Sequence, residues 1–126
     1  MALETLKDVK EIGGFIVMQD RPKNADGFVD WDLFDEQRKR QPIYIDHDLN
    51  MISFRIQNGP IKENGINGCQ VDTIIEAAKV ILEGLNAKFP CRANSKAISR
   101  LDEALMWLEK RTKDRTKRGV EGTSNQ

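Results

Sequence analysis

From Val71 onward the apolar residues recur with a period that suits only an α-helix, and one Phe-Pro step cuts the run in two. Val71, Ile74, Ile75, Ala78, Ile81, Leu82 and Leu85 follow the i, i+3, i+4, i+7 spacing of a single helical face. Asp72 or Thr73 stands at the start, where it suits the helix dipole or a cap. Phe89-Pro90 ends this helix, because the residue before a proline is driven out of the helical region. A second seam follows in the same period: Ala97, Ile98, Leu101, Ala104, Leu105 and Leu108. Asn94 or Ser95 is its expected cap, and Gly119 its stop after Arg118. Two amphipathic helices with so short a link must fold back as an antiparallel hairpin.

The chain before residue 60 has a different texture. Residues 13–18 form a short apolar run suited to a strand, and Asn24-Ala25-Asp26-Gly27 is a turn. Residues 30–40 read as a short helix that packs with Trp31, Leu33 and Phe34 and ends before Pro42. Ile52, Phe54 and Ile56 alternate with Ser53, Arg55 and Gln57, a strand period; Ile43 and Ile45 are placed to pair with it across residues 46–50. Residues 57–68, rich in Gly and Asn, are either a connector or a shaped loop whose backbone N–H groups make an anion-binding concavity. The expected class is α+β: a small N-terminal β-rich unit, a hairpin plus a short helix, at residues 1–60. The loop and long antiparallel helical hairpin take residues 61–119, and a polar tail takes residues 120–126.

What the chain lacks excludes most enzyme chemistry. At 126 residues it is one small domain or two very small units. Its two cysteines, Cys69 and Cys91, make neither a disulfide framework nor a four-ligand zinc site, and both read as buried small apolar residues. The one histidine, His47, reads as a turn residue. Asp46, Asp48 and Asn50 have a calcium-loop spacing but lack the glycine and distal glutamate of that loop. Asp30, Asp32, Asp35 and Glu36 read as a helix start with a solvated face, a weak signal for metal-dependent hydrolysis. No catalytic residue, metal ligand or cofactor is expected. Glu4, Asp8 and Glu11 interrupt the start, which does not read as a signal peptide. No apolar run approaches the ~20 residues of a membrane span, so the cytosol is the expected address.

Charge is zero overall but uneven. Residues 1–91 carry 11 Lys/Arg against 15 Asp/Glu, whereas residues 92–118 carry nine against four. The first helix has about 18 residues and the second about 25, so at ~1.5 Å each the second overshoots by roughly 10 Å, towards residues 59–68. In the overshoot the seam turns basic: Arg111 and Arg115 continue it, and Arg118 lies near Arg111 one to two turns on. Two readings stand. Either the helix end is solvated and its cations suit the dipole, or paired guanidiniums one turn apart clamp a diphosphate. Met106 and Trp107 lie off the seam; packing in an oligomer suits them, and Trp107 among arginines also suits a stacked base.

The residues Phe89-Pro90-Cys91-Arg92-Ala93-Asn94-Ser95, followed by residues 97–108, resemble the helical hairpin shared by two phage anti-defence families. These are the anti-CBASS and the anti-Thoeris sponge proteins. The loop at residues 59–70, the end at 111–123 and the preceding strand-rich segment resemble the anti-Thoeris branch, and the likeness covers residues 50–123. The resemblance implies a non-enzymatic protein that sequesters cyclic ADP-ribose isomers in the cytoplasm of the infected bacterium. It also implies a homo-oligomer, a hexamer, with no membrane and no nucleic acid as partner. The matched ligand-binding residues are Asn94, Arg111 and Arg115, with Phe89 as a stacking face and Arg118 beside them. A separate site for cyclic di- or trinucleotides would draw on Arg55, Lys62 and Asn64. Two competing functions are a small nucleic-acid-binding module that uses the basic helix end, and an enzyme that degrades the nucleotide.

Overall fold

The computed structural model describes residues 5–6, 9–18, 20–47 and 51–119. The polar tail, Asp48 and Asn50 lie outside the described residues. Two antiparallel strand pairs come first: β1 (Glu11–Ile12) with β2 (Phe15–Ile16), and β3 (Ile43–Asp46) with β4 (Met51–Phe54), separated by α1 (Trp31–Arg40). A single helical turn, α2 (Ile61–Asn64), leads to α3 (Val71–Lys88) and α4 (Arg92–Arg118). The class is α+β, with a long helical hairpin after a small β-rich unit.

Residues 13–18 are not one strand. Gly13 and Gly14 both take positive φ, 59° and 82°, so the apolar run opens on a tight turn and leaves only two paired residues on either side. The β3–β4 register matches the alternation, with Ile45 opposite Ile52 and Ile43 opposite Phe54. Asn24 shapes its turn by accepting from the N–H groups of Asp26 (2.9 Å) and Phe28 (3.1 Å). The Asp30 carboxylate caps α1 by accepting from Leu33 N–H at 3.0 Å. Of the three packing residues read on α1, only Phe34 is buried, meeting Tyr44 edge-on at 5.3 Å; Trp31 and Leu33 stay exposed.

Leu6, Ile12, Val17, Ile43, Ile45 and Ala77 form the core, with Val80 and Ile81 packed against it. The β-rich unit therefore sits on α3, and α3 has two working faces. The line that meets the sheets is built from small residues, and of α3 only Thr73 and Ala77 are buried. Gly13 approaches Thr73, and Gly84 lies against the Thr5 side chain, contacts that a Cβ would obstruct. On the other side α4 packs along α3, bridged by Lys79–Asp102 at 2.6 Å. No residue of α4 is buried: Ile98, Leu101, Ala104, Leu105 and Leu108 are only half-covered by α3.

The helix starts differ from the expected caps. Gln70 precedes α3 without a side-chain cap bond, and Asp72 instead accepts from Thr73 N–H at 2.9 Å. α4 begins earlier than Asn94 or Ser95 would place it, because Asn86 accepts from Cys91 N–H at 3.1 Å and pins the turn. Cys91 is the cap, its Sγ accepting from Asn94 N–H at 3.4 Å. Cys91 is thus exposed, contrary to its reading as a core residue, whereas Cys69 is buried. Gly119 ends α4 in the left-handed conformation, φ 75°.

Candidate functional site

α4 has nine residues more than α3, so at ~1.5 Å per residue its end overshoots by about 13 Å. The overshoot runs beside the loop of residues 57–70, as the helix lengths demand. Arg111 and Arg115, one turn apart, line two hollows at once. One, of about 350 Å³, is completed by Trp107, Lys110, Asp114 and Arg118. The other, of about 300 Å³, lies against the loop, with Gln57, Pro60, Cys69 and Gln70 in its wall.

The nearby acids are occupied by lysines. Lys110 pairs with Asp114 at 3.0 Å and Lys113 with Glu109 at 3.2 Å, both at i, i+4. Arg111 makes no ion pair among the described residues and is exposed. Arg115 is half-buried and Arg118 exposed. Trp107 presents an indole 62% exposed on the rim of the first hollow.

The loop is built by its own amides. Ile56 pairs with Cys69 in parallel, through Gln57 N–H to Cys69 O and Cys69 N–H to Arg55 O, both 2.7 Å. Gln57 Nε2 donates to Gly59 O (3.1 Å) and Gly65 O (2.8 Å), and its Oε1 accepts from Asn67 N–H at 3.0 Å. Asn67 returns the pattern, its Oδ1 accepting from Asn58 N–H (2.7 Å) and its Nδ2 donating to Asn58 O (2.8 Å). Gly59 and Gly65, at φ 85° and 71°, make the bends. These bonds consume N–H groups that a sequence reading leaves available to an anion. The loop stands as a hydrogen-bonded wall beside the arginines. Gln57 and Gln70 in that wall escaped the sequence reading, which had no signal for a pairing between Ile56 and Cys69. Burial raises the Cys69 thiol above its ordinary pKa, with Asp72 adding to the shift against a backbone hydrogen bond, so this wall stays neutral.

Phe89 and Asn94 lie at the other end of the hairpin. Phe89 is 72% exposed beside the turn, and Asn94 Nδ2 donates to Phe89 O at 3.5 Å. Seventeen residues of helix separate Asn94 from Arg111, about 25 Å at ~1.5 Å each, so one chain does not bring them together. Of Arg55, Lys62 and Asn64, Arg55 follows β4, whereas the other two belong to α2. Asn64 Nδ2 donates to Pro60 O at 3.4 Å, while Arg55 lines a separate hollow with the end of α1. The acidic residues of α1 serve as cap and surface charge: Asp30 caps it, and Glu36 pairs with Arg40. Among the described residues no group of three or more His, Cys, Asp or Glu converges as metal ligands would. No helix among them is long and apolar enough to cross a membrane.

The family model described as Acb2/Tad1, hairpin domain, matches residues 51–113. Over 74 residues, 58% of this chain, the sequence is 45% identical to Thoeris anti-defense 1 of Bacillus phage SBSphiJ7. The match takes in 52% of that relative, so the chain spans about half the length of the curated protein it matches. The matched stretch runs from β4 through the shaped loop and the whole of α3 to the basic end of α4, and on it the chain belongs to the Acb2/Tad1 hairpin family, the phage anti-Thoeris group that its sequence resembles.

Proposed function

We propose that this protein is a phage anti-defence sponge that binds cyclic ADP-ribose isomers and holds them intact. The observation that carries the reading is the pair Arg111 and Arg115, one turn apart between two hollows, with a rigid loop as the facing wall. A cyclic ADP-ribose isomer offers a diphosphate for two guanidiniums and bases for an indole or phenyl face. Each charge-assisted contact is worth about 1.5–3 kcal/mol. Several such contacts, together with stacking on the aromatic face, are needed to outweigh the cost of association. Nothing in such a pocket needs a general base, so the protein acts without catalysis and without a cofactor, in the cytoplasm of the infected cell.

Asn94 and Phe89 join this site only through a second copy. Two hairpins laid antiparallel bring the turn of one to the arginines of the other. The half-covered seam of α4, with exposed Met106 and Trp107 beside it, gives such a copy an apolar surface to cover. The assembly is a homo-oligomer, a hexamer by resemblance. A cyclic di- or trinucleotide site would take Arg55, Lys62 and Asn64 once from each copy around a symmetry axis.

Titration calorimetry of the purified protein with a glyco-cyclic ADP-ribose isomer tests the reading, followed by heating and chromatography of the ligand. Tight binding with intact release is expected. A hydrolysed product would mean an enzyme, and no binding would remove the cyclic ADP-ribose reading. Arg111→Ala with Arg115→Ala should abolish binding and leave the oligomer folded; unchanged affinity would sink the clamp. Affinity for an oligonucleotide that falls steeply with salt would favour the nucleic-acid module instead.

A further inference from the structure

Cations also gather outside the two hollows at the end of α4. The last turn of α1 and the end of β4 enclose a hollow of about 300 Å³ lined by Arg38, Lys39, Gln41, Ser53, Phe54 and Arg55. Its backbone is held on both sides: Arg55 N–H donates to Pro42 O at 2.7 Å, and Gln41 N–H donates to Gln37 O at 3.0 Å. The Arg38 guanidinium stands 5.8 Å from the Phe34 ring centre, a cation–π contact that orients it.

No carboxylate lines this hollow. The acid on α1 that forms an ion pair, Glu36, is taken by Arg40. Arg38, Lys39 and Arg55 make no ion pair among the described residues. The end of α1 opposes them with roughly half a negative charge, which leaves the balance strongly positive. A helix end needs cations in its last turn but does not need a third brought from a strand. Arg55 is that third, carried there by the β3–β4 register.

We propose that this hollow is a second anion site, built for a compact, multiply charged phosphate: the diphosphate group of a small nucleotide. Two guanidiniums supply paired donors and Lys39 a point charge, while Gln41 and Ser53 can add neutral donors. The volume lies at the small end of ligand pockets, enough for a phosphate group and part of a nucleoside against Phe54. The site shares no residue with the basic end of α4; it draws on Arg55, which the cyclic oligonucleotide site above would otherwise use, and residues 38–41 lie outside the stretch that matches the hairpin family.

The test is pyrophosphate titration of the full chain, by calorimetry and by amide chemical shifts. The expected result is movement of the Gln41 and Ser53 amides, and a component that Arg111→Ala with Arg115→Ala does not remove. Lys39→Glu and Arg55→Gln should each weaken that component ten-fold or more; neither side chain has a partner whose loss would unfold the chain. Shifts confined to α4, no binding at millimolar pyrophosphate, or either variant at unaltered affinity would overturn the proposal. ADP should bind at least as tightly as pyrophosphate. An oligonucleotide that outcompetes both at this site would replace the compact ligand with a nucleic-acid backbone and so refute it.

Discussion

Gly68 sits where a side chain has no room. A Cβ there would lie 2.5 Å from Arg55 O and 2.5 Å from the Ile56 carbonyl carbon, both backbone atoms that cannot swing aside. Gly68→Ala should push the loop off β4, break the Ile56–Cys69 pairing and cost about 1–3 kcal/mol, read as a shift in the urea midpoint. The cysteines offer a second check. Cys91 is exposed and should react promptly with a thiol reagent at neutral pH, whereas Cys69 should react only on opening of the fold. The raised Cys69 pKa means that the folded state holds a proton longer than the unfolded chain. That contribution is complete below the ordinary thiol pKa of about 8.5 and falls away as pH rises above it. Asp46, wholly buried, accepts from Arg21 Nε at 3.0 and 3.2 Å, and the guanidinium stands 5.1 Å from the Trp31 ring centre. Asp46→Ala should break this largely buried ion pair and cost about 3–5 kcal/mol in denaturant unfolding.

At the scale of elements Lys79 and Asp102 form a polar strut between α3 and α4. The Asp102 carboxylate accepts a hydrogen bond from Lys79 and raises its pKa, with Glu83 and Glu76 adding to the effect. A lysine pKa raised in the folded state gives stability that is complete below its ordinary value near 10.4 and is lost as pH rises through the folded value. Thermal melts of the wild type and Lys79→Gln should therefore differ by a constant amount from about pH 7 to 9 and converge above about 10.4. Both helices, their antiparallel arrangement and the overshoot of α4 were legible from apolar spacing and from Phe89-Pro90, because a long periodic face leaves one solution. The starts were not. Caps depend on which donor the folded turn brings within reach, and Asn86, a mid-helix residue in sequence, accepts the Cys91 N–H. The β1–β2 turn was missed for a like reason, since an apolar run with two glycines reads as a strand until its φ values are known.

The molecule as a whole is a small β-rich unit on a helical hairpin whose outer helix is only half-covered. α4 has no buried residue, and Met106 and Trp107 are 64% and 62% exposed. Burying two such side chains is worth about 1.5–3 kcal/mol each. Light scattering should show a multimer at micromolar concentration, and Met106→Glu with Trp107→Glu should weaken it about a hundredfold or more. The sequence by itself determined the hairpin, the α+β order of elements and the basic character of the overshoot, because period, helix length and charge are local properties that neighbours do not alter. Only the tertiary structure decided which faces meet. It set the small-residue line of α3 against the sheets, paired Arg21 with Asp46 across 25 positions, and brought Arg55 to the end of α1. Such meetings depend on the path of the chain through space, and no spacing along the sequence encodes them.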